Sequence, residues 1–382
     1  MISMLFFAYS NNGDMMLPII MVFTLLCNLI TIPQSESSLF HAYCVMEVES
    51  GNIVASHQKD IPYPMGNLTQ VMSLCVIYDA INNQQIKLSD MIMINQELLT
   101  QKDSFLQAGE LYSIQDLITY ILHTSSYDAM NALVNYMSQE EQSFVTKMNQ
   151  LAKDLNLTHT HFHNPYGYND VNHYASAYDL AKITQYLLKI GGSSLFEISR
   201  KSEMNQTTWM ASENELLKQY QGCDFMKMSK HLQNQYSIIA SANQKGVRSI
   251  VVGLYASDKT KAYQQILQYF EELFQQYQRI TLIKKDEYAN TIPIYQGNQS
   301  QCTYTHPALQ CTILKNETLK VAKVQIQMEP QYAPITKKQK IGTLKVTLSN
   351  HKNYEVPLYA KNDIQHQSFF TFFIKFLYES IF

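Results

Sequence analysis

No Lys or Arg precedes Lys59 in this chain of 382 residues, glycine is scarce at 12 residues, and no run of five or more basic residues occurs anywhere. Each shortage excludes something. With a net charge of -3 and no basic block, the chain has no electrostatic footprint for a nucleic-acid partner. The low glycine content goes with the absence of any Gly-rich phosphate loop. Six cysteines (Cys27, Cys44, Cys75, Cys223, Cys302, Cys311) are present without C-x-x-C spacing, so neither a zinc site nor a thioredoxin-like redox motif is signalled.

What is present is apolar and aromatic. Hydrophobic residues make up 46% of the chain, and 26 residues are tyrosine. That length and composition suit two domains with real cores. Residues 15–32 (MMLPIIMVFTLLCNLITI) form an apolar run followed by Pro33-Gln34-Ser35-Glu36-Ser37. Residues 1–37 therefore read either as a signal peptide cleaved after Ser37 or, lacking a basic n-region, as an N-terminal membrane segment. Cys27 follows Thr24-Leu25-Leu26 and lacks the small neighbour that lipid attachment needs. Cys302 and Cys311 flank Thr305-His306-Pro307 and are either bonded across that turn or two free, partly buried thiols.

Along the chain, residues 40–48 are β-rich and Glu49-Ser50-Gly51-Asn52 punctuates them before Ile53, which predicts a hairpin. Residues 67–81 place Leu68, Val71, Met72, Cys75, Val76 and Ile77 at helical spacing, with Asn67 as N-cap. Helical patterns recur at 114–123, 127–137, 141–155 and 177–188, strand character returns at 237–242 and 248–255, and a helix covers 259–277. Helices between an early hairpin and late strands predict an α+β domain, one antiparallel sheet with helices packed on it. Beyond residue 277 the short strands ITLIK, TIPIY, LQCTIL, VAKVQIQM, IGTLKVTL and YEVPLYA predict a separate small all-β domain. Residues 369–382 (FFTFFIKFLYESIF) carry Thr371, Lys375 and Glu379 on one narrow stripe, the pattern of an amphipathic helix that lies on a membrane surface or else docks on the protein itself.

Several segments together resemble the low-molecular-mass penicillin-binding proteins, the serine D-alanyl-D-alanine carboxypeptidases of the cell wall. AYCVMEVESGNIVASHQKD is similar to that family's opening hairpin and PMGNLTQVMS to its P-x-A-S-L-T-K-x-M-T helix start. LTHTHFHNPYGYNDVNHYASAYDLAKITQYLL matches at Phe162, Asn164, Pro165, Gly167, His173, Tyr174, Ser176 and Asp179, and DFMKMSKHLQNQYSIIASANQKGVRSIVVGL resembles the strand pair that starts with K-T-G. The resemblance implies a penicillin-binding protein/serine β-lactamase-like domain over residues 38–277, a C-terminal β domain over 278–362 and a membrane-associating amphipathic helix over 363–382. It implies no cofactor, no metal, and peptidoglycan stem peptides as partner, with a cell-wall protein as a further one. It also implies an exported, periplasmic protein on the outer face of the cytoplasmic membrane.

The family chemistry uses S-x-x-K, S-x-N and K-T-G clusters. In the first, a hydroxyl and an amine three residues apart share one helix face, so the amine can take the hydroxyl proton. Asn67 and Gln70 stand there, without nucleophile or base. Loss of the nucleophile in a serine hydrolase costs on the order of 10⁶ in turnover. In the second, Ser125-Ser126-Tyr127 keeps the hydroxyl at Ser125 and has Tyr127 in place of the substrate-holding amide. In the third, Lys227-Met228-Ser229 keeps the cation, while Met228 and Ser229 replace a hydroxyl donor and a bare backbone. Arg248 is expected to add positive charge for a substrate carboxylate. Ser56-His57-Gln58-Lys59 and Ser349-Asn350-His351-Lys352 also spell S-x-x-K, but neither falls at a helix start. His159, His161, His163 and His173 read as surface hydrogen-bonding groups, since no carboxylate or cysteine completes a zinc set. The expected function is a catalytically impaired carboxypeptidase homologue that binds stem peptides or a cell-wall partner; the alternative is a working carboxypeptidase, trimming the terminal D-alanine of peptidoglycan pentapeptides, with an altered site.

Overall fold

The computed structural model describes residues 39–100, 105–138, 140–200 and 214–368. The apolar N-terminal run, Cys27, Trp209 and the aromatic C-terminal segment lie outside them.

The chain opens with the hairpin β1 (Ala42–Glu47) and β2 (Ile53–His57). The buried Glu47 carboxylate closes its turn, accepting from the Ser50 amide at 2.7 Å and the Ser50 hydroxyl at 2.6 Å. A 3₁₀ turn, Gly66–Thr69, leads into α1 (Gln70–Asn82). The helix begins three residues later than the apolar spacing predicts, and Asn67 makes no capping bond. A small hairpin follows, β3 (Met91–Met93) with β4 (Leu111–Ser113), too short for a period to register in the sequence.

Four helices come next: α2 (Ile114–Thr124), α3 (Tyr127–Ser138), α4 (Glu141–Asp154) and α5 (Ala177–Arg200). Ser113 and Asp116 form a reciprocal capping box at the start of α2. Helix α5 runs on past residue 188 because the chain resumes helical geometry after a break at Gly192, where φ is 51°. A single turn, α6 (Leu216–Gln219), precedes β5 (Cys223–Lys230), β6 (Tyr236–Gln244), β7 (Val247–Ala256) and α7 (Lys259–Gln276).

The five strands form one antiparallel sheet in the order β2-β1-β7-β6-β5, leaving β5 at an edge. Both faces are covered. Phe225, Ile239, Ile250 and Val252 pack against α1, α2 and α5, while Met226, Met228, Ala240 and Val251 pack against α7. This is the predicted antiparallel sheet with helices upon it.

From residue 277 the chain is all β: β8 (Tyr277–Ile283), β9 (Thr291–Tyr295), β10 (Gln301–Thr305), β11 (Leu309–Leu314), β12 (Val321–Met328), β13 (Gln331–Tyr332), β14 (Lys340–Leu348) and β15 (Asn353–Ala360). Six of them form a sheet in the order β12-β14-β15-β10-β9-β13, and β8 pairs with β11. Leu344, Val346, Leu358 and Ile364 are at its core. Cys302 and Cys311 are both buried free thiols, on strands of different sheets. No described helix is long and apolar enough to cross a membrane.

Candidate functional site

Three stretches far apart in sequence meet beside the edge strand: the turn at Gly66–Thr69 with the first residue of α1, the α2–α3 junction at residues 125–127, and β5 around Lys227. The close approach has a backbone requirement at two glycines. Gly66 (φ 54°) and Gly167 (φ 104°) take left-handed geometry, and a side chain on Gly66 would collide with the Ser229 hydroxyl, one on Gly167 with the Gly66 carbonyl. Asn164 holds the second loop in place, its Oδ1 accepting from the amides of Tyr166, Gly167 and Tyr168 at 3.1, 2.8 and 3.0 Å.

Asn67 sits at the mouth of the site. Its Oδ1 accepts from the Tyr127 hydroxyl at 2.7 Å, and its backbone N–H donates to Ser229 Oγ at 3.1 Å. Gln70 is fully buried behind it, donating from Nε2 to the carbonyls of Ser125 (3.1 Å) and Tyr166 (3.4 Å), while its Oε1 has no partner in the protein. Two carbonyls facing one side-chain tip suit a pure donor such as an ammonium better than an amide, half of which is an acceptor.

Alternation along β5 sorts the next three residues. Lys227 and Ser229 face the helices, and the Lys227 ammonium donates to Ser125 Oγ at 2.9 Å and to the Ile121 carbonyl. Lys227 is 1% exposed, so protein acceptors enclose its charge. Ser125 holds a left-handed backbone (φ 55°) at the end of α2, and Ser126, not Ser125, caps α3 by accepting from the Ala129 amide at 3.2 Å.

Met228 points the other way. It lies against Tyr263 of α7 in the core beneath the sheet, which corrects its expected place in ligand binding. Arg248 is a second correction. It pairs with the buried Asp224 carboxylate at 2.6 Å, bonds Ser241 at 3.2 Å and stacks on Phe196, so its charge is spent inside the sheet domain. Burial pushes the Asp224 carboxyl up, and Arg248 opposes that shift.

The open part of the site is a groove of about 900 Å³, with Gly66, Asn67, Tyr127, Tyr168, Ser229 and Tyr255 among its walls. Two aromatic pairs shape its rim. Tyr127 stacks on Tyr168 (centroids 4.9 Å apart), and His231 on Tyr255 (4.2 Å). Burial lowers the His231 pKa to about 4, so this imidazole is neutral at pH 7. Linear spacing gave no sign of Tyr168, His231 or Tyr255; only the loop and strand ends bring them to the groove.

The histidine group is not uniformly a surface feature. His173 is buried, and its Nδ1 accepts from the His163 amide at 3.0 Å. Its proton therefore sits on Nε2, which donates to Thr69 Oγ1 at 2.6 Å. Burial lowers its pKa to about 4. His161 Nδ1 bonds the Asn172 carbonyl at 2.6 Å, and His163 lies 3.7 Å from Asp170. The Ser56 of the spare S-x-x-K spelling lies within β2, and its Lys59 pairs with Asp60.

Residues 31–258 match the family pattern of D-alanyl-D-alanine carboxypeptidase, and residues 277–366 match that of the penicillin-binding protein 5 C-terminal domain. The chain is 28% identical to the D-alanyl-D-alanine carboxypeptidase DacF of Bacillus subtilis, over 86% of each chain. It is 26% identical to DacC of Escherichia coli, over 86% of this chain and 85% of that one. Among solved structures, penicillin-binding protein 5 of Haemophilus influenzae shares the fold at a TM-score of 0.62 and 23% identity, covering 86% of this chain and 98% of its own. A peptidoglycan synthesis regulatory factor (PBP3) from Streptococcus pneumoniae does so at 0.64 and 18%, covering 86% and 99%. On the family match across more than half its length, the chain belongs to the D-alanyl-D-alanine carboxypeptidase family.

Proposed function

We propose that this protein is a homologue of the D-alanyl-D-alanine carboxypeptidases that no longer hydrolyses, and that its groove binds peptidoglycan stem peptides or a cell-wall partner. The observation that carries the reading is the state of residue 67. A side-chain amide held by Tyr127 stands where the family places its nucleophile, with the untitratable Gln70 behind it. The surroundings support the same reading. The Asn67 N–H, a donor of the kind used to stabilise an oxyanion, is already bonded to Ser229 Oγ, and Lys227 is enclosed. An exported protein held at the outer face of the cytoplasmic membrane is the matching location, and residues 1–37 and 369–382 are the segments that would serve it, since 363–368 pair with the β domain through Ile364 and His366.

The test is labelling of the purified protein with a fluorescent penicillin, read by gel and intact mass, beside an active carboxypeptidase. The expected result is no adduct, together with retention on peptidoglycan. A stoichiometric adduct, or D-alanine release above buffer, would overturn the loss of catalysis; failure to bind peptidoglycan would overturn the binding role.

One observation favours the working-enzyme alternative. The Ser229 hydroxyl lines the groove, and it and the neutral His231 ring both approach Gly66. A serine and an imidazole on one wall are the elements of a nucleophile and base. Peptide mapping of any adduct decides it, since this alternative requires the label on Ser229 and its loss in Ser229→Ala.

A further inference from the structure

Four lysines outside the groove have no role in the reading above. Lys285 follows β8, Lys337 and Lys338 lie in the turn between β13 and β14, and Lys361 directly follows β15. The sequence gives no run there, yet the fold brings all four to the wall of one concavity of about 710 Å³, which Thr305 and Tyr359 also line. All four are exposed, and among the described residues none forms an ion pair.

Two carboxylates lie beside these lysines, each accepting a backbone N–H and each keeping its charge. Asp286 accepts from the His306 amide at 2.9 Å, and Asp363 from the Lys337 amide at 2.7 Å. The buried His306 accepts from the Tyr288 amide on Nε2, so its proton lies on Nδ1 and goes to the Pro307 carbonyl at 2.8 Å. Both ring nitrogens are therefore used. Four lysines with Asp286 and Asp363 beside them leave an excess of positive charge around one hollow, which a bound multivalent anion would balance.

We propose that this concavity of the C-terminal β domain is a binding site for a phosphate-bearing anion. Lysine ammonium groups act as point charges that match the several oxygens of a phosphate, without the fork by which arginine selects a planar carboxylate. A free phosphate compound and a phospholipid headgroup share this chemistry. The headgroup has a positional argument, because Lys361 precedes by only a few residues the aromatic segment at 369–382, which reads as membrane-seeking. Attraction to an anionic surface is worth roughly fivefold in affinity for each nearby lysine and weakens with salt.

The experiment uses the full chain and a quadruple variant, K285Q/K337Q/K338Q/K361Q, checked for an unchanged melting transition. A control variant removes four exposed lysines elsewhere in the same domain, K320Q/K323Q/K345Q/K352Q. Binding is measured to inorganic pyrophosphate by calorimetry and to vesicles with and without phosphatidylglycerol in phosphatidylcholine by sedimentation. The quadruple variant is expected to lose at least tenfold in affinity for pyrophosphate, for the phosphatidylglycerol vesicles, or for both, while the control keeps it. Loss of pyrophosphate binding assigns a free phosphate ligand, and loss confined to the anionic vesicles assigns the headgroup. Equal losses in the two variants, unchanged binding in the quadruple variant, or a parent chain that binds neither probe would overturn the site.

Discussion

His173 shows how one buried residue contributes to the response of the chain to acid. With its folded pKa near 4 and an ordinary value near 6.5, the unfolded chain takes up a proton between those limits that the folded chain refuses. The stability it supports is complete above about pH 6.5 and declines as pH falls toward 4, by at most about 3 kcal/mol. His231 acts in the same direction. Urea unfolding at pH 7 and pH 5 should show the loss, and His173→Asn should flatten the dependence; a parent chain equally stable at both values would refute it. The residue types at the candidate site, Asn67, Gln70, Ser125, Tyr127, Lys227 and Ser229, were legible in the sequence because each stands where the resembled family has one of its three clusters. Where their side chains point was not. Whether Asn67 caps a helix or bonds a tyrosine depends on Tyr127, sixty residues away, and no local pattern encodes that distance.

At the scale of an element, β5 illustrates what period two decides. Lys227 and Ser229 turn to the helices, and Met228 turns to α7, so the motif Lys227-Met228-Ser229 is divided between two faces of one sheet. Arg248 and Asp224 form a pair within the same sheet domain, buried on the acid side. Removing the arginine leaves a carboxylate in a place where burial already disfavours its charge. Arg248→Ala is expected to cost about 2 kcal/mol of stability, because the buried Asp224 then keeps only the Ser241 hydroxyl at 3.1 Å and the more distant Arg200 guanidinium at 3.9 Å. Thermal or urea unfolding measures it, and Arg248→Ala with Asp224→Asn should recover part of the loss. A drop in peptide binding with stability intact would instead return Arg248 to the groove.

For the whole molecule, the family scaffold is present while the residues at the cluster positions differ, so on the proposed reading activity is a local property that can be put back. The combined variant N67S/Q70K/Y127N/S229G supplies the family's residue types at the positions that face the groove, leaving Met228 in the core beneath the sheet, and it is expected to give a penicillin adduct by intact mass where the parent gives none. The two carbonyls that now meet Gln70 Nε2 would receive the lysine ammonium. Ser229→Gly alone should give no adduct, and neither should N67S alone. Absence of an adduct from the folded combined variant would place the defect in the groove's shape, with Tyr255 and His231 the first suspects.

The sequence by itself determined the long helices and the principal strands, the sheet domain followed by an all-β domain, and the chemical identity of residues 67 and 70, because periodicity and residue type are local properties, whereas short strands such as β3, β4, β10 and β13 are too brief to carry a period. Tertiary structure alone decided which charges remain available. Lys227 and Arg248 looked alike as cations for a substrate carboxylate, and packing enclosed one against Ser125 and Ile121 and paired the other with Asp224. It also gathered four lysines from three separate turns around one hollow. Burial and long-range pairing depend on segments that meet only when the chain is folded, and for that reason the availability of a charge could not be read from its position in the sequence.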